Sequence, residues 1–165
     1  MNIDLKELST TDALDVYNML QEIGPGENGF INDGYGPLSG FGAFLQKHAS
    51  AAKGIALASN LVPQTMYWLY IDGVPVGYAK LRHYLNDELL KIGGHIGYAI
   101  RPSQRSKGYA KLILKEMLAK AKKLGLEEVL MTCMQENTAS RRVIEANAGI
   151  LRDIEEGECH YWIRL

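Results

Sequence analysis

The chain has few of the features that assign a protein to a specialised class. It contains two cysteines, Cys133 and Cys159, whose spacing fits neither a metal site nor a disulfide framework. No stretch approaches the roughly 20 consecutive apolar residues of a membrane span. Residues 1–7 lack the basic and apolar regions of a secretion signal. We therefore expect a cytoplasmic protein with reduced core thiols, no metal and no membrane partner.

The charge balance excludes another class of partner. The 18 basic and 19 acidic residues give a net charge of −1, so the chain has no overall attraction to nucleic acid. Any phosphate must therefore be bound by a local arrangement. A length of 165 residues and an apolar content of 47% predict one globular domain spanning residues 1–165.

Hydrophobic periodicity predicts a mixed α/β fold without repeats. The predicted strands cover residues 5–8, 65–71, 74–83, 95–100, 129–133, 150–154 and 160–165. The predicted helices run from residue 9 or 10 to about 24, then over 41–52, 110–124 and about 137–147. Asp72-Gly73 predicts a two-residue hairpin, and 86–91 a polar connection. Six glycines and two prolines between residues 24 and 40 predict a mobile loop.

The segment between the strand at 95–100 and the helix at 110–124 is the most informative. Pro102 prevents the strand from continuing, and the first N–H groups of the helix have no partners within it. The positive end of the helix dipole lies at the same place, so the turn is suited to bind a phosphate. Gly108 allows close approach of the backbone, and Arg101 is expected to be a solvated surface charge. Lys111 and Lys115 are expected on the wet face of the helix.

Two common phosphate motifs do not fit this turn. The P-loop pattern is absent, and Gly93, Gly94 and Gly97 precede the strand, whereas a dinucleotide-binding fingerprint follows one. The turn instead has a basic residue, two residues, Gly, one residue and Ala. It reads Arg105-Ser106-Lys107-Gly108-Tyr109-Ala110 and resembles the signature loop of the GNAT N-acetyltransferase superfamily.

The resemblance extends over nearly the whole chain, through the order of elements, the hairpin at Asp72-Gly73 and the helix start at Asn137-Thr138-Ala139-Ser140. It implies a single-domain GNAT-like fold of the α/β (α+β) class. Such a fold has a mixed central sheet of about six to seven strands and about four helices. The strands at 95–100 and 129–133 are expected to start side by side and then splay apart.

The resemblance also implies that the gap between these strands binds acetyl-coenzyme A. The loop amides would hold the pyrophosphate, and free main-chain groups at the strand end would bond the pantetheine arm. The implied cofactor-binding residues are Ala99, Ile100, Arg105, Ser106, Lys107, Gly108, Tyr109, Ala110, Asn137 and Ser140. The Ile100 N–H would face the thioester oxygen as an oxyanion donor.

The implied reaction is direct attack of a primary amine, from a small molecule or a peptide, on the acetyl thioester in a ternary complex. Neutralising a lysine-like amine at pH 7 costs roughly 4.6 kcal/mol, so a catalytic base would help. The tyrosine that protonates the thiolate in many relatives falls at Ile144. His95, Tyr98 and Glu27 are candidate catalytic residues, against the alternatives of a structural histidine, a packing aromatic and a solvated carboxylate, so the base is left unassigned.

One alternative is a non-catalytic sensor or interaction domain that binds acyl-coenzyme A, which the missing tyrosine favours. Another is a longer acyl group on the donor. The resemblance is also compatible with a homodimer, and it leaves the acceptor amine open because the N-terminal helices and loop vary within the family.

Overall fold

Seven strands and five helices make up the computed structural model, which describes residues 1–165. The strands are β1 (Ile3–Glu7), β2 (Gln64–Ile71), β3 (Val74–Arg82), β4 (Ile96–Ile100), β5 (Glu128–Met134), β6 (Ile150–Glu155) and β7 (Glu158–Arg164). The helices are α1 (Leu14–Ile23), α2 (Phe41–Ala52), α3 (Asp87–Lys91), α4 (Tyr109–Leu124) and α5 (Thr138–Ala146). None of the helices is long and apolar enough to cross a membrane.

The strands form two antiparallel sheets, in the orders β1-β2-β3-β4 and β5-β7-β6. The predicted hairpin joins β2 to β3, and both of its turn residues, Asp72 and Gly73, have the positive φ that such a turn requires. Cys133 and Cys159 face each other across β5 and β7, both buried and free, as predicted.

The two sheets approach each other where β4 begins. The His95 N–H donates to the Leu130 carbonyl (2.8 Å), and the Leu130 N–H donates to His95 Nδ1 (2.9 Å). Gly94 makes this approach possible, because a Cβ there would collide with the Leu130 carbonyl oxygen. No strand pairing joins β4 to β5 beyond this point, so the predicted divergence of these strands is confirmed.

Apolar clusters cover both faces of the first sheet. The larger cluster joins this sheet to α4, α5 and the second sheet, and includes Ile96, Ile113 and Ile144. The smaller one lies between the sheet and helices α1 and α2, and includes Leu20 and Trp68. The side chains of β2 and β3 therefore alternate between two buried environments.

Helix α3 lies where a polar connection was predicted, so the fold has five helices instead of about four. The Asn86 side chain accepts a hydrogen bond from the Leu89 N–H (2.9 Å) and caps this helix. Asp87 and Glu88 follow in its first turn, where acidic residues are stabilised by the helix dipole.

The glycine-rich loop at residues 24–40 is irregular, as predicted, but its middle is anchored. The Asn32 amide donates to the carbonyls of Leu20 (2.9 Å) and Gly24 (2.7 Å). Its carbonyl accepts hydrogen bonds from the Gly34 N–H and the Tyr78 hydroxyl. The loop is thus fixed to α1 and β3, over one face of the first sheet.

Candidate functional site

The turn between β4 and α4 exposes a run of unpaired N–H groups. The Arg105 N–H bonds to the Pro102 carbonyl, and the next protein-bonded N–H is that of Leu112, which donates to Gly108. The six N–H groups of residues 106–111 have no hydrogen-bond partner in the protein. Ser106 and Gly108 both have positive φ, at 62° and 83°. This backbone can surround an anion with N–H donors.

A pocket of about 660 Å³ adjoins this turn. It lies between the start of α4 and the end of α5. Its lining includes Lys107, Tyr109, Lys111, Leu112, Lys115 and Asn147. Lys111 and Lys115 are exposed, as predicted, and they also give the pocket a positive wall. A ligand held at the turn can therefore extend an anionic part along α4.

The register of β4 decides which of its main-chain groups face the gap. Gly97 and Ala99 lie opposite residues 80 and 78 of β3. The hydrogen bond from the Arg82 N–H to the His95 carbonyl (2.7 Å) sets the alternation of the ladder. The main-chain groups of Gly97 and Ala99 therefore face β3.

Tyr98 and Ile100 consequently direct their N–H and C=O groups toward the gap, where no strand pairs with them. This corrects the expectation for Ala99, because its main chain is turned to β3 and only its half-buried side chain is left for a ligand. The Ile100 carbonyl accepts a hydrogen bond from Arg105 Nε (3.1 Å). The N–H groups of Tyr98 and Ile100 are the main-chain donors of β4 that face the gap.

Arg105 also connects the turn to the glycine-rich loop. Its guanidinium lies 2.6 Å from the Glu27 carboxylate, and both side chains are exposed. An exposed ion pair of this kind contributes only about 0–1 kcal/mol, so a phosphate can compete with it. Glu27 is paired in this arrangement and is not a free carboxylate beside the gap.

His95 joins the two sheets, which is the structural interpretation of this residue. It is buried, and its Nδ1 accepts the Leu130 N–H, which places the ring proton on Nε2. Burial lowers the pKa of His95 to about 4, and repulsion from Arg82 acts in the same direction. The ring is therefore neutral at pH 7 and its lone pair is already used, which does not fit a catalytic base.

Tyr98 extends from β4 to the helix that follows β5, and so spans the gap. Its hydroxyl interacts with the Ser140 side chain. Burial raises the pKa of Tyr98; the nearby Ser140 side chain opposes this change, and Cys133 adds to it. The hydroxyl therefore stays protonated at neutral pH and is suited to donate a proton.

Asn137 and Ser140 lie at the start of α5. The Asn137 side chain accepts a hydrogen bond from the Ser140 N–H (3.2 Å) and caps the helix. Asn137 Nδ2 has no partner in the protein, so it is available to a ligand in the gap. Ile144, one turn further on, is buried in the larger core cluster and has no polar atom to offer.

Sequence reasoning missed the support behind the turn. The Glu22 carboxylate of α1 accepts hydrogen bonds from Arg101 Nε (3.0 Å) and from the Ser103 N–H (2.7 Å). Arg101 also donates to the Pro75 carbonyl (3.0 Å). The expectation of a solvated Arg101 is therefore wrong, because this side chain fixes the segment that leaves β4. The sequence gives no signal for contacts between residues so far apart.

A second pocket, of about 300 Å³, lies away from the gap, between α2 and the β1–β2 edge. It is lined by His48, whose Nε2 lies 2.7 Å from Asp33. Asp33 also accepts a hydrogen bond from Lys47 (3.0 Å). Both interactions lower the pKa of Asp33, although burial opposes them. This carboxylate is thus engaged and stays ionised.

The comparisons with known proteins agree with this architecture. A family model described as an acetyltransferase (GNAT) domain matches residues 30–148. Because the match covers more than half of the chain, this protein belongs to the GNAT acetyltransferase family. No curated protein sequence matches the chain.

Solved structures with the same fold align with nearly the whole length of this chain. The ribosomal L7/L12 alpha-N-protein acetyltransferase RimL, in complex with coenzyme A, has a TM-score of 0.73 at 12% identity; the alignment covers 100% of this chain and 95% of that one. Campylobacter jejuni N-acetyltransferase PseH, in complex with acetyl coenzyme A, has a TM-score of 0.67 at 12% identity, and the alignment covers 99% of each chain. A GNAT-family acetyltransferase from Streptococcus pneumoniae has a TM-score of 0.65 at 17% identity, and the alignment covers 99% of this chain and 100% of that one. At these identities the likeness shows the fold.

Proposed function

We propose that this protein transfers the acetyl group of acetyl-coenzyme A to a primary amine, by direct attack in a ternary complex. The observation that carries the proposal is the run of six unpaired N–H groups at residues 106–111, beside the free edge of β4. Such a turn fits a diphosphate, and the free edge fits a chain with amide groups. Relatives solved with coenzyme A or acetyl-coenzyme A support the same cofactor.

In this proposal the pyrophosphate bonds to the N–H groups of the turn, and two side chains of the turn add positive charge. The turn residues are Arg105, Ser106, Lys107, Gly108, Tyr109 and Ala110. The pantetheine amides bond to the main chain of Tyr98 and Ile100, as an added strand would. Asn137 Nδ2 and Ser140 contact the arm from α5, and Ala99 contacts it through its methyl group.

The reaction needs one bond to form and one to break. The amine nitrogen attacks the thioester carbon, and a main-chain N–H of Tyr98 or Ile100 stabilises the oxyanion, a type of contact worth about 2.7–4 kcal/mol. The carbon–sulfur bond then breaks, and the Tyr98 hydroxyl gives its proton to the departing thiolate. The amine nitrogen releases a proton to solvent as the amide forms, and solvent returns a proton to the Tyr98 hydroxyl. No base is assigned, since the His95 lone pair is used by the Leu130 N–H and Glu27 is an exposed carboxylate of the glycine-rich loop.

A pair of glycine variants tests the pyrophosphate site. Gly108 and Gly125 bound α4 at its two ends, both have positive φ, and a Cβ at either position meets no atom within 4 Å. Valine strains both positions similarly, by about 1–2 kcal/mol. We expect Gly108→Val to weaken acetyl-coenzyme A binding at least about tenfold in calorimetry, whereas Gly125→Val retains wild-type affinity. A folded Gly108→Val protein with unchanged affinity would contradict the site.

A non-catalytic acyl-coenzyme A sensor is the second candidate. The buried Ile144 in place of the family tyrosine, together with the engaged His95 and Glu27, favours it. Cofactor binding without release of free thiol across a broad panel of amines would support the sensor. Turnover with longer acyl donors, compared with acetyl, decides the acyl preference. The single domain over residues 1–165, the cytoplasmic location and the homodimer stay predictions.

A further inference from the structure

Two cationic side chains lie next to each other on β3, beneath the glycine-rich loop. Lys80 and Arg82 are two residues apart on the strand, so they point to the same face of the sheet. Tyr78 shares this face and bonds to Asn32 of the loop. Lys80 is 8% exposed and Arg82 is partly buried. The loop therefore covers Lys80, and Arg82 lies beside it at the end of the strand.

Neither cation has a carboxylate partner within 4.0 Å. Lys80 Nζ donates to the Ile31 carbonyl and lies 4.7 Å from the centre of the Phe30 ring. Arg82 donates to the carbonyls of Gly93 (3.0 Å) and Gly94 (3.3 Å). Both side chains thus bond to neutral acceptors alone.

Burial of these charges is unfavourable without an anion. Burial lowers the pKa of Lys80 to about 8; the nearby Asp33 opposes this change, and repulsion from Arg82 and Lys47 adds to it. Burial also lowers the pKa of Arg82. Asp33 cannot compensate fully, because it is already bonded to Lys47 and His48. Buried charges are rare unless they are paired, so these two are suited to bind an anion that arrives from outside.

The cations lie close to the point where an acceptor would meet the thioester. Lys80 is directly opposite Gly97 of β4, and Gly97 precedes Tyr98, whose main chain faces the gap. A Cβ on Gly97 would be 3.4 Å from the Phe30 ring and 4.0 Å from Arg82 Nη1. Because Gly97 has no side chain, the Phe30 ring and the Arg82 guanidinium both lie close to this part of β4.

We propose that Lys80 and Arg82 bind a carboxylate of the acceptor, so that the substrates are amino carboxylates whose carboxylate lies a few bonds from the reacting nitrogen. The inference rests on the acetyl transfer proposed above and names the substrate class of that site. The amine forms the new bond to the acetyl carbon, and the carboxylate takes no part in the chemistry. It positions the nitrogen and neutralises the two cations.

Matched acceptors test the substrate class. Glycine is compared with glycinamide, and β-alanine with its amide, by release of free coenzyme A thiol from the wild-type protein and acetyl-coenzyme A. Because charged hydrogen bonds are strong, we expect kcat/KM to favour each acid over its amide by about tenfold or more. Equal or better turnover of the amides would overturn the inference.

Variants connect the preference to the two side chains. Lys80→Met keeps the length of the side chain and removes its charge, and Arg82→Lys keeps a charge but loses the planar fork. We expect both variants to lower the acid-to-amide ratio of kcat/KM, mainly through KM, while the rate with the amides is largely retained. Lys80→Met should also unfold at an equal or higher temperature, because a buried unpaired charge is removed. The control Lys123→Met alters an exposed lysine at the far end of α4.

A merely structural role for Lys80 and Arg82 predicts that the variants lose activity equally on acids and amides, which would overturn the inference. If the protein acetylates only amines that lack a carboxylate, the inference about the substrate class would be overturned, but the acetyltransferase proposal would stand. If acetyl-coenzyme A still binds but none of the amines tested causes release of free thiol, both the substrate class and the acetyltransferase proposal would be overturned.

Discussion

Tyr98 belongs to β4, whose free edge faces the gap, and its side chain reaches the helix on the far side of the gap. The position is unusual because one residue borders the gap with both its backbone and its hydroxyl. The hydroxyl interacts with Ser140 and stays protonated at neutral pH because burial raises its pKa. These properties match a donor for the thiolate, at a residue different from the one the family resemblance indicates.

Tyr98→Phe removes the proposed donor and keeps the ring. We expect kcat to fall by about 100-fold or more, the lower range for general acid catalysis, with little change in the affinity for acetyl-coenzyme A. Tyr67→Phe is the matched control, because Tyr67 is a half-buried tyrosine of β2 whose pKa is also raised by burial. Equal kcat values for the Tyr98→Phe and wild-type proteins would show that the thiolate leaves without this acid.

Residue roles were predictable where they follow from local sequence. Gly108 and the start of α5 could be recognised because spacing and capping chemistry act over a few residues. Lys80 and Arg82 could not, because alternation on a strand makes them resemble a solvated face, and the groups that bury them belong to other segments of the chain. A structural role for His95 was one of the explanations open from the sequence, but its partner was not predictable, because it depends on where β5 passes.

Among the elements, α4 was predicted almost to its ends. Its apolar residues repeat at helical spacing, and Gly125 adopts the left-handed conformation that closes the helix. Helix α3 was missed because five residues are too few to show a period, and only the capping residue Asn86 marks it. The anchoring of the glycine-rich loop also escaped prediction, since the single side chain of Asn32 provides it.

Helix α5 provides an element-scale prediction through Ile144. The residue is 1% exposed, so Ile144→Val should lower the free energy of unfolding by about 0.5–1.5 kcal/mol. Turnover should be unchanged, because the side chain has no proton to give. Urea unfolding and thiol release measure the two effects. A large loss of rate at unchanged stability would show that Ile144 borders the reacting atoms.

In the whole molecule, two sheets are held together at one end by His95 and Leu130 and diverge at the other. The order of elements made the fold predictable, because every strand and helix except α3 could be recognised from its hydrophobic pattern. The acceptor side was not predictable, because the loop over residues 24–40 and strand β3 meet there only after folding.

The junction of the sheets predicts how the molecule responds to acid. The pKa of His95 in the folded protein is about 4, below the ordinary value of 6.5. Between these two pH values the ring is protonated in the unfolded chain and neutral in the folded one. Its contribution to stability is complete above pH 6.5 and is lost as the pH falls toward 4. Urea unfolding should show that His95→Asn, which keeps an acceptor without a titrating ring, loses roughly 3 kcal/mol less stability than wild type between pH 7 and pH 4. Parallel losses in both proteins would contradict this role.

The close fit of Gly149 against Ile144 limits how the chain can be engineered. A Cβ at Gly149 would collide with the Ile144 side chain, and the Gly149 N–H bonds to the Ile144 carbonyl. The helix end is therefore folded tightly over a residue of this size. Replacement of Ile144 by the tyrosine of the family would leave no room for the ring. A variant with this tyrosine would therefore also need a redesigned turn at the end of the helix.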